Sequence, residues 1–312
     1  MKSALRIGTR GSALALWQAR HVAALLAALP DPPATEIVEI RTEGDRVLDV
    51  PLSQVEGKAF FTKEIEEALA DGRVDLAVHS LKDLPTELPE GLALGAVLAR
   101  EDPRDVVLAR DGRGFADLPA GARVGTSSLR RRALLARWRR DVELVELRGN
   151  VPTRVQRLDE GRFDAIVLAA AGIKRLGLAG RISEYLPLDR VLPAVSQGAV
   201  AVEVRTGDDA VLAHVRRLDD AATRAATAAE RALLRRLEGG CQVPVGALAT
   251  LAGETLTLRA VICALDGSQA VDGERSGPVA HAATIGRDLA GELFAFGGEA
   301  ILRDIRRRGG AA

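Results

Sequence analysis

Two cysteines in 312 residues, Cys241 and Cys263, are too few for the disulfide framework of a secreted protein, so a cytoplasmic location is expected. Aromatic residues make up only 3%, which leaves little surface for stacking bases, and the formal net charge is zero. Together these speak against a nucleic-acid partner or a charged membrane surface. No apolar run approaches the ~18–20 residues that cross a bilayer, so no membrane partner is expected. The amino-terminal MKSALRIGTRGSALALWQAR is broken by Arg6, Arg10 and Gly11, and reads as a first strand and helix rather than an export signal. A nucleotide-binding glycine loop is missing too, because Gly8-Thr9-Arg10-Gly11-Ser12 has neither the lysine nor the spacing. No metal site is expected. Lysine is scarce, five residues against thirty-eight arginines, and where those arginines fall is the informative part.

Hydrophobic residues at 47% and charged residues at 28% are ordinary for a globular chain, and the length calls for two or three domains. The spacing predicts a strand over Ala4–Gly8, a helix over Leu14–Leu29 capped by Ser12, and a strand over Glu36–Arg41. Thr42–Lys58 has no firm period and reads as a loop. A helix carrying Phe61, Ile65, Ala68 and Leu69 follows, then a strand over Val74–His79. The alternation restarts with Arg123–Gly125 into Leu129–Arg139, Val142–Leu147 into Val151–Leu158, and Phe163–Ala169 into Ile173–Leu176. Such alternation is the mark of a mainly parallel sheet with helices on both faces. Val200–Val204 could return to the first sheet, which would make Arg100–Arg104 and Pro193–Gly198 paired hinge strands. The last third differs: a helix over Ala221–Leu237, alternating strands over Leu248–Ala252 and Leu256–Leu265, and a helix over Ile285–Ile305. The fold class expected is α/β, with domains over 1–99 plus 199–219 and over 104–193, and a small α+β domain over 222–312.

Acidic residues are favoured at the start of a helix, where the backbone carries partial positive charge. Here Gly125-Thr126-Ser127-Ser128 forms a strand-to-cap junction followed at once by Arg130, Arg131 and Arg132. Arg148 precedes a helix that opens with Pro152 and holds Arg154 in its first turn, and Arg10 stands just before Ser12. Each misplaced cation costs up to about 1 kcal/mol. Either these arginines splay into water or pair with local acids, or the set is built for a ligand bearing carboxylates or phosphates; planar guanidinium groups suit carboxylates.

Asp83 follows an apolar strand beside Lys82, a candidate general acid/base or stabiliser of positive charge, although a Lys-Asp pair before a turn is often structural. His79 reads as a wall residue of that strand. Cys241 lies in Gly239-Gly240-Cys241 after a helix end, where the dipole cannot activate a thiol, so capture of an already electrophilic group suits it better than protease-like attack. Cys263 lies in an alternating strand and reads as packing.

These residues fall in a series of segments: Arg6–Ser12 (RIGTRGS), Leu14–Gln18 (LALWQ), His79–Leu84 (HSLKDL), Arg100–Asp105 (REDPRD), Val124–Arg131 (VGTSSLRR), Leu147–Asn150 (LRGN), Pro193–Gly198 (PAVSQG) and Leu237–Pro244 (LEGGCQVP). In this order and over nearly the whole chain, they resemble the porphobilinogen deaminase (hydroxymethylbilane synthase) family. The resemblance implies two domains like the lobes of a periplasmic-type binding protein plus the small third one, in a monomer. It implies a dipyrromethane cofactor held as a thioether by Cys241, onto which four porphobilinogen units are added head to tail with loss of ammonia before hydrolysis releases hydroxymethylbilane. Asp83 matches the catalytic aspartate. Ser80, Lys82, Asp83, Thr126, Ser127, Ser128, Arg130, Arg131 and Arg154 match cofactor-binding positions; Arg10, Ser12, Arg148, Arg175, Lys58 and Gln197 match substrate-binding ones. The sequence departs from the family at Gln54, Glu56 and Ala59, and Ser196 replaces a common glycine. The rival reading is a non-catalytic two-lobed protein that binds carboxylates.

Overall fold

The computed structural model describes residues 4–42, 62–237 and 243–309. The strands are β1 (Leu5–Thr9), β2 (Thr35–Glu39), β3 (Leu76–Ser80), β4 (Leu92–Val97), β5 (Asp105–Ala109), β6 (Arg123–Gly125), β7 (Glu143–Val145), β8 (Ala165–Ala169), β9 (Glu184–Tyr185), β10 (Val200–Arg205), β11 (Val245–Ala252), β12 (Thr255–Cys263) and β13 (Ala270–Pro278). The α-helices are α1 (Ala13–Ala27), α2 (Lys63–Ala70), α3 (Leu129–Trp138), α4 (Val151–Asp159), α5 (Ala170–Arg175), α6 (Asp209–Val215), α7 (Ala221–Arg236), α8 (Ala282–Leu293) and α9 (Glu299–Gly309).

The described residues group into two compact units, 4–42 with 62–101 and 198–224, and 102–197 with 225–309. The first unit carries a five-stranded sheet in the order β2-β1-β3-β10-β4. β1 runs parallel to β2 and β3, while β10 is antiparallel to β3 and β4. Four of the five strands therefore run the same way, as the expected mainly parallel sheet requires, and the returning strand expected at Val200–Val204 is the one that is reversed. The first three residues of β3, Leu76–Val78, are apolar because helices cover both faces of the strand: Val22 and Leu26 of α1 share one core with Leu76 and Val78, while Ile65 and Leu69 of α2 share another with Ala77.

The second unit repeats the plan in the order β7-β6-β8-β5-β9, with β5 antiparallel to β8. It also holds the antiparallel sheet β11-β12-β13. Along β12 the side chains alternate between two cores. Leu256, Leu258, Ala260 and Ile262 join Leu233 of α7 and Leu289 of α8, whereas Val261 and Cys263 join Val124 and Leu135 beneath the five-stranded sheet. Cys263 is thus the packing residue expected, and burial pushes its thiol pKa up to about 11.

The sequence pattern does not mark β5, because all but its last residue are buried. Two expectations need correction. The Arg100–Arg104 and Pro193–Gly198 segments are not strands. The helix predicted over Ile285–Ile305 is broken by a wide turn at Phe294–Gly298, where Gly297 takes φ 102° and α9 starts afresh.

In the first unit the Glu101 amide donates to the Gly198 carbonyl at 3.2 Å. Gly198 has φ +93°, and a Cβ there would lie 2.3 Å from the Glu101 carbonyl oxygen. Ser196, two residues earlier, has φ 63° and is the one non-glycine residue among those described with positive φ, so a glycine there would be relaxed. We predict that Gly198→Ala lowers stability by about 1–3 kcal/mol, read as a fall in Tm; an unchanged Tm would show that the contact yields without cost.

Candidate functional site

In the first unit, β1 ends at Thr9, whose hydroxyl donates to the Ala15 carbonyl at 3.2 Å, and the Ser12 hydroxyl accepts from the Ala15 amide at 3.3 Å. Ser12 is therefore the helix cap expected, and Arg10 is fixed just ahead of it. β3 ends at Ser80 and passes into a single turn, Leu81–Asp83. Buried Leu81 anchors that turn by donating its amide to the Ala199 carbonyl at 3.0 Å, and Pro85 stops it from lengthening. Arg10, Ser12, Gln18, Thr62, His79, Ser80 and Asp83 together line one concave pocket. Gln18, 2% exposed, donates to the Ser80 hydroxyl at 2.8 Å and holds that wall in place. Asp83 is half-buried, and among the described residues nothing donates to its carboxylate. Lys82 is half-buried beside it.

In the second unit, β6 ends at Gly125 and leads through buried Thr126 and half-buried Ser127 to Ser128, whose hydroxyl caps α3 by accepting from the Arg131 amide at 3.4 Å. Arg130 and Arg131 are 4% and 5% exposed. Both are bound to Asp105, the fully buried first residue of β5, at 2.6 Å from Arg130 Nη1 and 2.7 Å from Arg131 Nη2. For this pair the anion demanded by the sequence is an internal carboxylate, the local-acid alternative. Burial alone would raise the Asp105 pKa, but the charges of Arg130 and Arg131 outweigh it and hold the carboxyl below the usual range.

One carboxylate between two guanidinium groups leaves an excess. Arg130 Nε is buried with no hydrogen-bond partner, and so is Arg148 Nη1. Arg154 donates from Nε to the Gly149 carbonyl at 2.7 Å and from Nη2 to the Ser127 hydroxyl at 3.5 Å. Burial, and after it the charges of Arg131 and Arg148, depress its pKa to about 10. A guanidinium so depressed lies in a field of like charge that an anion would relieve. These orphaned donors and this surplus charge suit a carboxylate-rich cofactor or substrate.

Gln197, expected at the substrate, is fully buried and donates from Nε2 to Asp105 at 2.9 Å and to the Pro103 carbonyl at 2.7 Å, bracing the arginine pair. Arg175 ends α5. Lys58 and Cys241 lie outside the described residues, as do Gln54, Glu56 and Ala59. Sequence reading missed Asp105 and Gln18; both sit inside quoted motifs, REDPRD and LALWQ, but a carboxylate's partners twenty-five residues away carry no local signal.

Residues 5–213 match the family model described as the porphobilinogen deaminase dipyrromethane cofactor binding domain, and residues 225–295 match the porphobilinogen deaminase C-terminal domain. The chain belongs to the porphobilinogen deaminase family. It is 54% identical over 300 residues to the porphobilinogen deaminase of Syntrophotalea carbinolica, covering 96% of this chain and 95% of that one. Identity to the enzyme of Syntrophomonas wolfei is 52% over 304 residues, covering 97% and 99%. Among solved structures, the Bordetella pertussis BvgS periplasmic VFT2 domain is 17% identical, over 69% of this chain and 86% of that one, with a TM-score of 0.41. The family makes this chain a transferase of tetrapyrrole biosynthesis that works on porphobilinogen with a dipyrromethane cofactor. Among the described residues no helix is long and apolar enough to cross a membrane.

Removing the Asp105 charge leaves two buried cations facing each other. We predict that Asp105→Asn costs about 3–5 kcal/mol in denaturant unfolding. Because the folded pKa is depressed, the wild-type advantage is present above the ordinary carboxylate range and is lost only as pH falls through the lower folded value. Equal stability at neutral pH would contradict the buried-pair reading.

Proposed function

We propose that the two units divide the work, the second holding carboxylates and the first carrying the chemistry. In the second unit, Thr126, Ser127, Ser128, Arg130, Arg131 and Arg154 would hold the acetate and propionate arms of the dipyrromethane, with Arg148 and Arg175 taking those of incoming porphobilinogen. Support comes from the surplus of guanidinium charge over the single carboxylate of Asp105. Each pyrrole brings two carboxylates, and guanidinium forks match them in pairs. When bound, the cofactor supplies a free pyrrole α-carbon as the primer. Cys241 is its anchor, as a thioether, and Lys58 reaches substrate.

In the first unit, Asp83 is the catalytic residue. Its carboxylate accepts from pyrrole nitrogens and stabilises the positive charge that develops as ammonia departs, with Lys82, Ser80, Ser12 and Arg10 orienting the reacting ring. The observation that carries this is the Asp83 carboxylate held in a walled pocket with no donor assigned to it among the described residues. The protein acts as a cytoplasmic monomer without nucleic acid.

The holoprotein is expected to show an intact-mass excess of one dipyrromethane, which Cys241→Ser abolishes; a Cys241→Ser protein that keeps the added mass would remove the thiol from the assignment. Asp83→Asn should keep the added mass and the fold while losing about 10²–10⁴-fold in kcat, and near-normal turnover would remove Asp83 from the mechanism. Arg148→Leu should stall elongation and accumulate partial pyrrole adducts by mass; wild-type product yield would count against its assignment.

A further inference from the structure

The first unit holds a second set of ionisable side chains that the reading above leaves unused. Glu203 on β10 is fully buried, and Glu66 on α2 and His79 on β3 are each 5% exposed. Glu203 Oε2 lies 3.3 Å from His79 Nε2. The contact is close enough for charge attraction but is not aligned as a hydrogen bond, and His79 Nε2, both Glu203 carboxyl oxygens and Glu66 Oε1 have no hydrogen-bond partner. Among the described residues no arginine or lysine pairs with either carboxyl group. Each buried polar atom left unpaired is costly, and such atoms call for an explanation beyond packing.

The cluster is not sealed from the reaction. His79 lines the same pocket as Asp83, Arg10, Ser12 and Gln18. Its Nε2 lies toward Glu203, and Nδ1 is the other ring nitrogen. A buried carboxylate beside one nitrogen of an imidazole that lines a substrate pocket can orient the histidine for proton transfer when the two draw into hydrogen-bond alignment. Behind it, burial and then the charge of Glu203 push the Glu66 carboxyl upward.

We propose that His79, oriented by Glu203, is the proton carrier of the Asp83 pocket, taking the proton that the terminal pyrrole of the growing chain must lose when a new carbon–carbon bond forms. The inference rests on the deaminase reading. The substrate ammonium group leaves as ammonia, the carbon–nitrogen electron pair departing with nitrogen. The exposed methylene carbon bonds to the free α-carbon of the terminal pyrrole. The α-carbon–hydrogen bond then breaks, its electron pair returns to the ring, and its proton passes to His79 Nδ1. From there it is handed to the released ammonia, which departs as ammonium, so no further reactant is needed. Asp83 keeps its separate task of stabilising the cationic ring.

The test uses holoprotein and porphobilinogen deuterated at its free α-carbon. His79→Ala, with the cofactor mass retained, should lose about 10²–10⁴-fold in kcat with little change in KM. Proton removal then limits the rate, so a primary isotope effect larger than in wild type should appear, and added imidazole should restore part of the rate. Glu203→Gln should show the same isotope signature with a smaller loss, and it serves as the test if His79→Ala does not fold. The absence of both an enlarged isotope effect and rescue in the variants would overturn the proposal and leave His79 a wall residue. Wild-type protein that makes no hydroxymethylbilane would instead sink the deaminase reading itself.

Discussion

The structure of the second unit depends on one fully buried carboxylate holding two buried guanidinium groups. Asp105 accepts from Arg130, Arg131 and Gln197, and so fixes the start of α3 against the start of β5. A single negative charge cannot neutralise both arginines, and Arg148 and Arg154 add to the imbalance. An ion pair buried in this way is weak evidence for stability, since desolvation consumes much of the attraction. Its use is to hold cationic groups at a helix start, where the backbone dipole would otherwise favour acids. The same imbalance that would be a fault in a purely structural core becomes binding energy when the ligand carries paired carboxylates.

The first unit shows the complementary arrangement. Its pocket is built on the carboxyl ends of β1 and β3, where two strand-to-helix junctions meet, as expected for ligand sites in open α/β sheets. Here the conspicuous groups are acids: Asp83 with no donor among the described residues, and Glu203 and Glu66 in the wall behind His79. On the proposed reading, the unsatisfied cation set would select for anionic arms and the unsatisfied acid set would stabilise a cationic ring, and porphobilinogen presents both.

Much of this was legible in the sequence. The helix cap at Ser12, the strand-to-cap junction at Gly125–Ser128 and the return of Val200–Arg205 to the first sheet follow from local chemistry and periodicity. Other features were not legible, for physical reasons. β5 is short and buried on both faces, so it lacks the two-residue alternation that marks an exposed-face strand. The break at Gly297 is a backbone choice inside an otherwise helical pattern. The destination of Arg130 and Arg131 depends on a pairing across twenty-five residues of chain, which the excess of cations at a helix start announces without revealing. Gln197 shows the same limit: its motif marks it as important, but only the folded chain shows that its amide goes to Asp105.

The central claim is that the surplus guanidinium charge is matched by carboxylates of the bound tetrapyrrole precursor. A crystal structure of the cofactor-bearing protein tests this most directly. The account predicts acetate or propionate oxygens at about 2.7–2.9 Å from the Arg148 and Arg154 guanidinium nitrogens. Carboxylate arms lying in solvent, with those arginines bonded only to protein or water, would contradict it.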